Sequence, residues 1–495
     1  MVAGIGSMTG NEQRLQMAQE ALARGDVASA EGILRRLLRS AHASPIAWYY
    51  LGACYFQHRR FGEAEAALRR SLDVKGEYFE ALHELGRSLH EQGRFDEAVA
   101  AYGRALALNG RSFEALHNLG MSLAAAQRLE DALGRYDEAL QHNPQHALTW
   151  HTRGDVLRLL DRPEEALASY GKALALQPDF PEAKANEAIV RLALGQWDLG
   201  WRAFEARWRA AGGLRKRHTD IPAWEGERPI DGTTILAWCE QGLGDTLQFC
   251  RYARLLMDEG AKVVLEVQPA LKALLSASLD CPVFARDDPI PPCDLQVPLM
   301  SLPGHFGTTP ATVPAHVPYL RAESERTGFW KDRLQRRDGR PRVAIACSGR
   351  AGHAFDMRRQ VALEHFAPLA QWAHLYLVQK ELRDEDRPAF ERSGGAMEFL
   401  GGEITDFQDS AAIVANLDLV ISVDTSLVHL AGALGKSVWV LLADVPDWRW
   451  LRERTDSAWY PTARLFRQER PGDWAGVMAR VEAALKEVIA VGWAP

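Results

Sequence analysis

Gly52, Gly86, Gly120 and Gly154 stand 34 residues apart, and Ala18 and Ala188 extend the series in both directions. Twelve residues after each comes a second small residue: Ala30, Ala64, Ala98, Ala132, Ala166 and Gly200. Four further on stands a large one: Leu34, Leu68, Tyr102, Tyr136, Tyr170 and Phe204. A period held in register over six units confines the first 208 residues to a repeat architecture, in which each unit rests on its neighbours.

This spacing resembles the tetratricopeptide repeat, a helix–turn–helix unit that stacks into an α-solenoid. Small residues at positions 8 and 20 let two helices approach, and the bulky residue at position 24 fills the groove beside them. Such a superhelix presents a concave surface to an extended peptide or a partner helix. His83, His117, Asn118, His151 and Arg153 are candidates to line it, with a solvated face as the plain alternative. A spacer or self-association module, and so a homo-oligomer, is the alternative for the whole array. The sixth unit departs from the pattern: Glu187 replaces an apolar residue, and Trp197, Trp201 and Trp208 crowd its second helix. It is expected to pack as a cap against the region C-terminal to it.

At 495 residues the chain is too long for one core. Gly212–Arg217 and Pro222 mark a joint, after which strand and helix patterns alternate. Strands are expected at 234–239, 262–267, 283–285 and 295–297, with helices at 246–257 and 270–276. The polar stretch 321–342 reads as a linker. Beyond it come strands at 343–347, 375–379 and 399–400, helices at 364–372 and 407–415, and a closing helix at 474–488 that folds back over the first lobe. Alternation of this kind gives parallel sheets, and two sheets joined by a linker give a cleft with ligands at the strands' carboxyl ends. The expected division is a repeat superhelix over 1–210, a first lobe over 219–325 and a second over 340–495.

The segment 419–442, LVISVDTSLVHLAGALGKSVWVLL, is the most informative within that region. A β-branched run ends at Val423. Asp424, Thr425 and Ser426 follow at once, and Leu427, Leu430, Ala431 and Leu434 recur at helical spacing up to Gly435. A second buried strand starts at Val438. The helix N-terminus between the strands offers N–H groups and partial positive charge to a phosphate. A βαβ unit with an ordinary capped helix is the plain alternative. Two more polar clusters close expected strands, EQGLGD at 240–245 and SGRAGHAFDMRR at 348–359.

Strand, GLGD and an apolar helix resemble the start of the heptosyltransferase family, GT-B glycosyltransferases with two Rossmann-like lobes. Their second lobe carries Asp-Thr-Gly-x-x-His-Leu, which here reads Asp424-Thr425-Ser426-Leu427-Val428-His429-Leu430, with Ser426 in place of the glycine. The resemblance covers roughly residues 231–490. The plan of repeats followed by a GT-B region also resembles the protein O-GlcNAc transferases, and more closely the bacterial repeat glycosyltransferases that modify flagellin.

The resemblance implies an inverting transfer from a nucleotide-sugar, without a cofactor; no DxD motif stands in a loop context, Asp384-Glu385-Asp386 reading as a charged helix start, so a metal-independent reaction is expected. Asp245 is placed as the base that takes the acceptor hydroxyl's proton. Gly242 and Gly244 give the backbone room to turn and the acceptor room to approach, and Gln241 lies in the same turn. A cap on the 246–257 helix is the plain alternative for Asp245. Arg358 and Arg359 sit where the family has a phosphate-binding lysine. Arg350 is a third candidate, the spacing does not choose among them, and a solvated basic loop is the alternative. Ser348 can donate to the phosphate or simply end its strand. Thr425 and Ser426 hold phosphate, Asp424 orients the turn or meets sugar, and His429 is more in keeping with packing than catalysis. Gln379, Lys380 and Glu381 end an expected second-lobe strand and are candidates to meet the nucleoside, with Glu381 a candidate for ribose hydroxyls. Trp448 and Trp450 stack on a base or sugar, or pack the lobes together.

A net charge of −7 argues against general nucleic-acid affinity. Neither a signal peptide nor an apolar run of spanning length is visible, so a cytoplasmic chain without membrane contact is expected. Six cysteines without a CxxC pair read as free thiols. The expected function is glycosyl transfer to a protein acceptor recruited by the repeats, with flagellin as the first candidate. The rivals are transfer to a lipopolysaccharide-type glycan and a non-catalytic repeat scaffold.

Overall fold

The computed structural model describes residues 10–40, 44–335, 338–349 and 356–492, and divides the chain into two compact units after Ala183. Each is described by itself.

The first unit holds five helix pairs among its described residues. They run from Gly10–Ala23 with Val27–Ser40 to Ala147–Leu159 with Pro163–Leu176. The small residues of the period are needed because the large ones press directly on them. A Cβ built on Gly86, Gly120 or Gly154 would fall 2.6–2.7 Å from the ring of Tyr102, Tyr136 or Tyr170, and one on Gly52 would meet Leu68 Cγ at 2.7 Å. The bulky residue at position 24 thus lies on the glycine itself, and Ala64, Ala98, Ala132 and Ala166 are completely buried beside it. Turn chemistry recurs with the same period. Arg60, Arg94, Arg128 and Arg162 each reach the carboxylate three residues on: Glu63, Glu97, Asp131 and Glu165. Such exposed pairs add little to stability because solvent screens them.

The second unit begins at Lys184, inside the first helix of the sixth pair, Pro181–Ala193 and Trp197–Phe204, and continues into two sheets whose strand pairings are all parallel. The first has strands β1 (Thr234–Trp238), β2 (Lys262–Val267), β3 (Val283–Ala285) and β4 (Leu295–Pro298), in the order β3-β2-β1-β4. The second has β5 (Arg342–Ala346), β6 (His374–Leu377), β7 (Met397–Phe399), β8 (Leu419–Val423), β9 (Val438–Leu442) and β10 (Ala463–Arg467). Its order is β10-β9-β8-β5-β6-β7, with Val343 opposite both Leu375 and Leu419. Counted within that sheet, this is the 3-2-1-4-5-6 order of dinucleotide-binding folds, and strand order reverses between β5 and β8. The central strands β8 and β9 are buried at every position because both faces are covered. Val343, Ile345 and Cys347 face one cluster, while Ala344 and Ala346 face the core shared with the first sheet.

Four elements differ from the sequence expectation. The helix expected at 246–257 begins at Leu243 and breaks into Leu243–Phe249 and Tyr252–Asp258, where Arg251 turns back and its Nε donates to the Gln248 carbonyl at 2.8 Å. The polar stretch 321–342 is no free linker. Its helix Ser324–Arg333 is pinned to helix Phe407–Ala415 through Arg326 to Asp406 and Asp409, and the Trp330 indole N–H donates to Asp409 at 3.2 Å. The closing helix Trp474–Val491 covers the second sheet, not the first lobe: Val477, Val481 and Leu485 bury against Val343, Leu375 and Leu419. In place of the helix expected at 364–372 stands the 3-10 helix Leu363–Gln371, with Pro368 inside it.

The Trp-rich sixth pair packs on the α/β region of its own unit, as a cap is expected to. Trp197 stacks on Trp459 with ring centres 5.2 Å apart, and Trp201 meets Trp448 edge-on at 5.2 Å. The Trp201 Nε1–H donates to the Thr308 carbonyl at 3.0 Å.

Candidate functional site

After β1 the chain turns at Gly242 into the helix Leu243–Phe249. The Gly242 N–H donates to Asp245 Oδ2 at 2.7 Å, so one oxygen of the aspartate closes the helix's own first turn. Capping is therefore part of what Asp245 does, from the third helical position rather than the cap. The other oxygen, Oδ1, accepts from Arg449, which lies beyond β9 in the second sheet's half of the unit. Arg449 is 8% exposed in its side chain and also donates to Asp447 Oδ1 at 2.9 Å and Gln248 Oε1 at 2.6 Å. Its guanidinium lies 4.4 Å from the Trp448 ring centre. Burial pushes the Asp245 carboxyl up, and the Arg449 charge and the Gly242 N–H pull it back.

Facing this helix, β8 ends at Val423 and the turn Asp424-Thr425 leads into helix Ser426–Ala433. Thr425 is extended at the N-cap, and its hydroxyl pairs with Ser422 Oγ at 3.1 Å instead of capping. The two helix starts touch. A Cβ on Gly244 would fall 2.8 Å from His429 Cδ2 and 3.5 Å from Ser426 Cα. Where two lobes and a linker suggest an open cleft, the missing side chain at Gly244 lets the histidine lie against the helix backbone.

His429 Nδ1 pairs with the Tyr460 hydroxyl at 2.9 Å, and its ring stacks on Trp450 at 5.8 Å. Its Nε2 is 3.9 Å from Asp424 Oδ1. Burial, with the Arg449 and Arg251 charges, holds its pKa well below the usual imidazole range, so the ring is neutral. Burial also pushes the Asp424 carboxyl up to about 6; the Asp447 charge adds to this, while Arg449 and Arg359 oppose it.

One locus thus gathers Gly244, Asp245, Asp424, Thr425, Ser426 and His429. Arg359 joins it, its Nη1 donating to the Asp424 carbonyl at 3.0 Å. Gln241 and Gly242 are exposed at its rim, and Gln268 Nε2 donates to the Gln241 carbonyl at 2.9 Å. Ser348 is buried just past β5. Arg358 is half-buried in the short helix Asp356–Arg359, and Arg350 lies outside the described residues. Lys380 and Glu381 lie after β6 and line a concavity of about 950 Å³ with Gln360, Arg383, Arg387 and Phe390. The Lys380 ammonium is occupied, donating to the Ile404 carbonyl at 2.6 Å and the Gly401 carbonyl at 3.3 Å. Trp448 and Trp450, 3% and 1% exposed, are packing residues.

Sequence reasoning passed over Arg449, Asp447, Gln248 and Tyr460. The one local signal was an arginine between two tryptophans, since a charge within an aromatic run needs a buried partner. Strand β10 was also missed.

Residues 15–77, 83–147 and 147–180 match the tetratricopeptide repeat, so the helix pairs of the first unit are such repeats. The chain is 27% identical over 344 residues to Protein FlbA of Caulobacter vibrioides, a match covering 61% of this chain and 54% of FlbA. It thus spans about half the length of the curated relative it matches. Among solved structures, YrrB, titled a TPR protein with an unusual peptide-binding site, is 24% identical over 34% of this chain and 88% of its own (TM-score 0.32). PilF of Pseudomonas aeruginosa is 18% identical over 40% of this chain and 90% of its own (TM-score 0.36). No helix among the described residues is long and apolar enough to cross a membrane.

Proposed function

We propose that the chain is a metal-independent, inverting GT-B glycosyltransferase of the cytoplasm, moving a sugar from a nucleotide-sugar to a protein Ser/Thr held by its repeats. The observation that carries the reading is the second sheet. Strand order reverses between β5 and β8, and the Asp424–Ser426 turn lies there with Arg359, against the Gly244–Asp245 helix. A diphosphate at this turn meets helix N–H groups and a guanidinium. Asp245 accepts the proton of the acceptor hydroxyl as its oxygen attacks the anomeric carbon opposite the departing nucleoside diphosphate. Arg449 favours the ionised form of Asp245 against the effect of burial, and Asp447 already holds that arginine when Asp245 takes the proton. Tetratricopeptide surfaces bind proteins, which supports a protein acceptor. Flagellin is the first to try, because the resembled repeat glycosyltransferases modify it.

Calorimetry of the full chain with UDP, GDP and CDP tests the site. One of them binds, and Thr425→Val or Arg359→Ala weakens it about tenfold, the scale of one lost charged contact. No binding by any of the three overturns the reading. A second reading, a scaffold whose lobes no longer turn over, is favoured by the ties that already occupy both Asp245 oxygens. It is the outcome if no nucleotide binds.

A further inference from the structure

The segment just beyond the last helix pair is built into the first sheet. In the order β3-β2-β1-β4, connections diverge between β1 and β4, the crevice where a parallel sheet takes a ligand. Arg207 of this chain fills it. Its Nη2 donates to both oxygens of Glu240, at 3.0 and 3.1 Å, and to Ser301 Oγ at 2.8 Å. Its Nη1 donates to Glu205 Oε1 at 2.7 Å and to the Phe204 carbonyl at 3.2 Å. Glu240 comes just after β1 and Ser301 just after β4. The Arg207 and Glu240 side chains are 7% and 1% exposed, and the guanidinium lies 4.5 Å from the ring centres of both Phe204 and Trp208.

The basic joint beyond docks in the same way. Arg217 pairs with Glu266 of β2 and donates to the Cys239 carbonyl at 2.8 Å, and His218 Nε2 lies 3.0 Å from Glu266 Oε2. Glu240 is thus met by Arg207 of the turn before the joint, and Glu266 by Arg217 of the joint itself. Buried ion pairs return little net stability because desolvation opposes them, but their directed hydrogen bonds fix geometry. What is fixed here is the loop entering the Asp245 helix: Glu240 precedes Gln241 and Gly242, and the Gly242 N–H holds Asp245.

We infer that Arg207 is a positioning residue for Asp245, setting the Glu240–Gly242 loop from the turn that ends the sixth repeat. Its consequence for rate rests on the transferase reading; the positioning itself does not. The test is hydrogen exchange by mass spectrometry on the full chain and its Arg207→Met and Arg207→Lys variants. Amides of 240–246 exchange about tenfold faster in Arg207→Met, those of 424–433 are unchanged, and Arg207→Lys falls between. With an identified donor, Arg207→Met lowers kcat about tenfold and leaves the donor KM in place. Wild-type exchange over 240–246 in folded Arg207→Met overturns the inference. If that variant does not fold, Ser301→Ala is measured in the same way. Faster exchange confined to the loop supports the inference, and no change overturns it. A wild-type chain that transfers nothing refutes the transferase reading while the exchange result still decides the brace.

Discussion

At Gly244 the space of a side chain is taken by the His429 ring, and this contact sets what the position tolerates. Gly244→Ala forces ring or helix to move and costs about 1–3 kcal/mol, the range for overpacking, read as a lower urea midpoint at unchanged slope. Asp245→Asn has another signature. The fold and nucleotide affinity are kept, while transfer falls by about two orders of magnitude or more, the scale of a lost general base. Wild-type transfer by the folded variant leaves Asp245 as a capping residue alone. Asp424 ties the site to pH. Its folded-state carboxyl is raised from 3.8 to about 6, so the native state binds the extra proton between those values. Stability from this group is therefore greatest below that window and declines as pH rises through it. Asp424→Asn removes the decline, so the difference in urea midpoint between wild type and variant grows in the variant's favour from pH 4 to 6. A constant difference contradicts the assignment. The Gly-Asp and Asp-Thr pairs were legible in the sequence because their signals are local, a polar turn between an apolar strand and an apolar helix. Arg449 was not, because its partner Asp245 is 204 residues away and no periodicity links them.

At the scale of elements, the repeats were readable for the same reason: position 8 meets position 24 within one unit, so the rule recurs in sequence as it does in space. The limits of the array were not. The sixth pair keeps the period at Ala188, Gly200 and Phe204, yet its tryptophans bury against Trp448, Trp459 and the Thr308 carbonyl. Periodicity records how a helix pair is built and not which core it joins. Likewise the polar composition of 321–342 hid a helix whose one buried tryptophan, Trp330, anchors it to the second sheet's layer. A chain starting near Pro178 keeps the sixth pair and unfolds cooperatively. One starting at Arg215 exposes the Trp448 and Trp459 faces and loses Arg207 from Glu240, and it melts many degrees lower or aggregates. Equal melting temperatures for the two would show the sixth pair to be dispensable.

The whole molecule carries two kinds of surface in one chain. Tetratricopeptide repeats form one, and paired parallel sheets that bring Asp245 against the Asp424–Ser426 turn form the other. The five repeats of the first unit carry none of the candidate site's residues, so the transferase proposal predicts that 184–495 suffices for nucleotide binding and that modification of a protein needs the full chain. The most direct measurement is the intact mass of flagellin co-expressed with the full chain, with a chain starting near Pro178, and with Asp245→Asn. Sugar-sized mass increments are predicted with the full chain, and loss of nearly all of them with either variant. Increments with Asp245→Asn equal to those of the full chain, or none with the full chain on flagellin or any other co-expressed protein, would contradict the transferase reading.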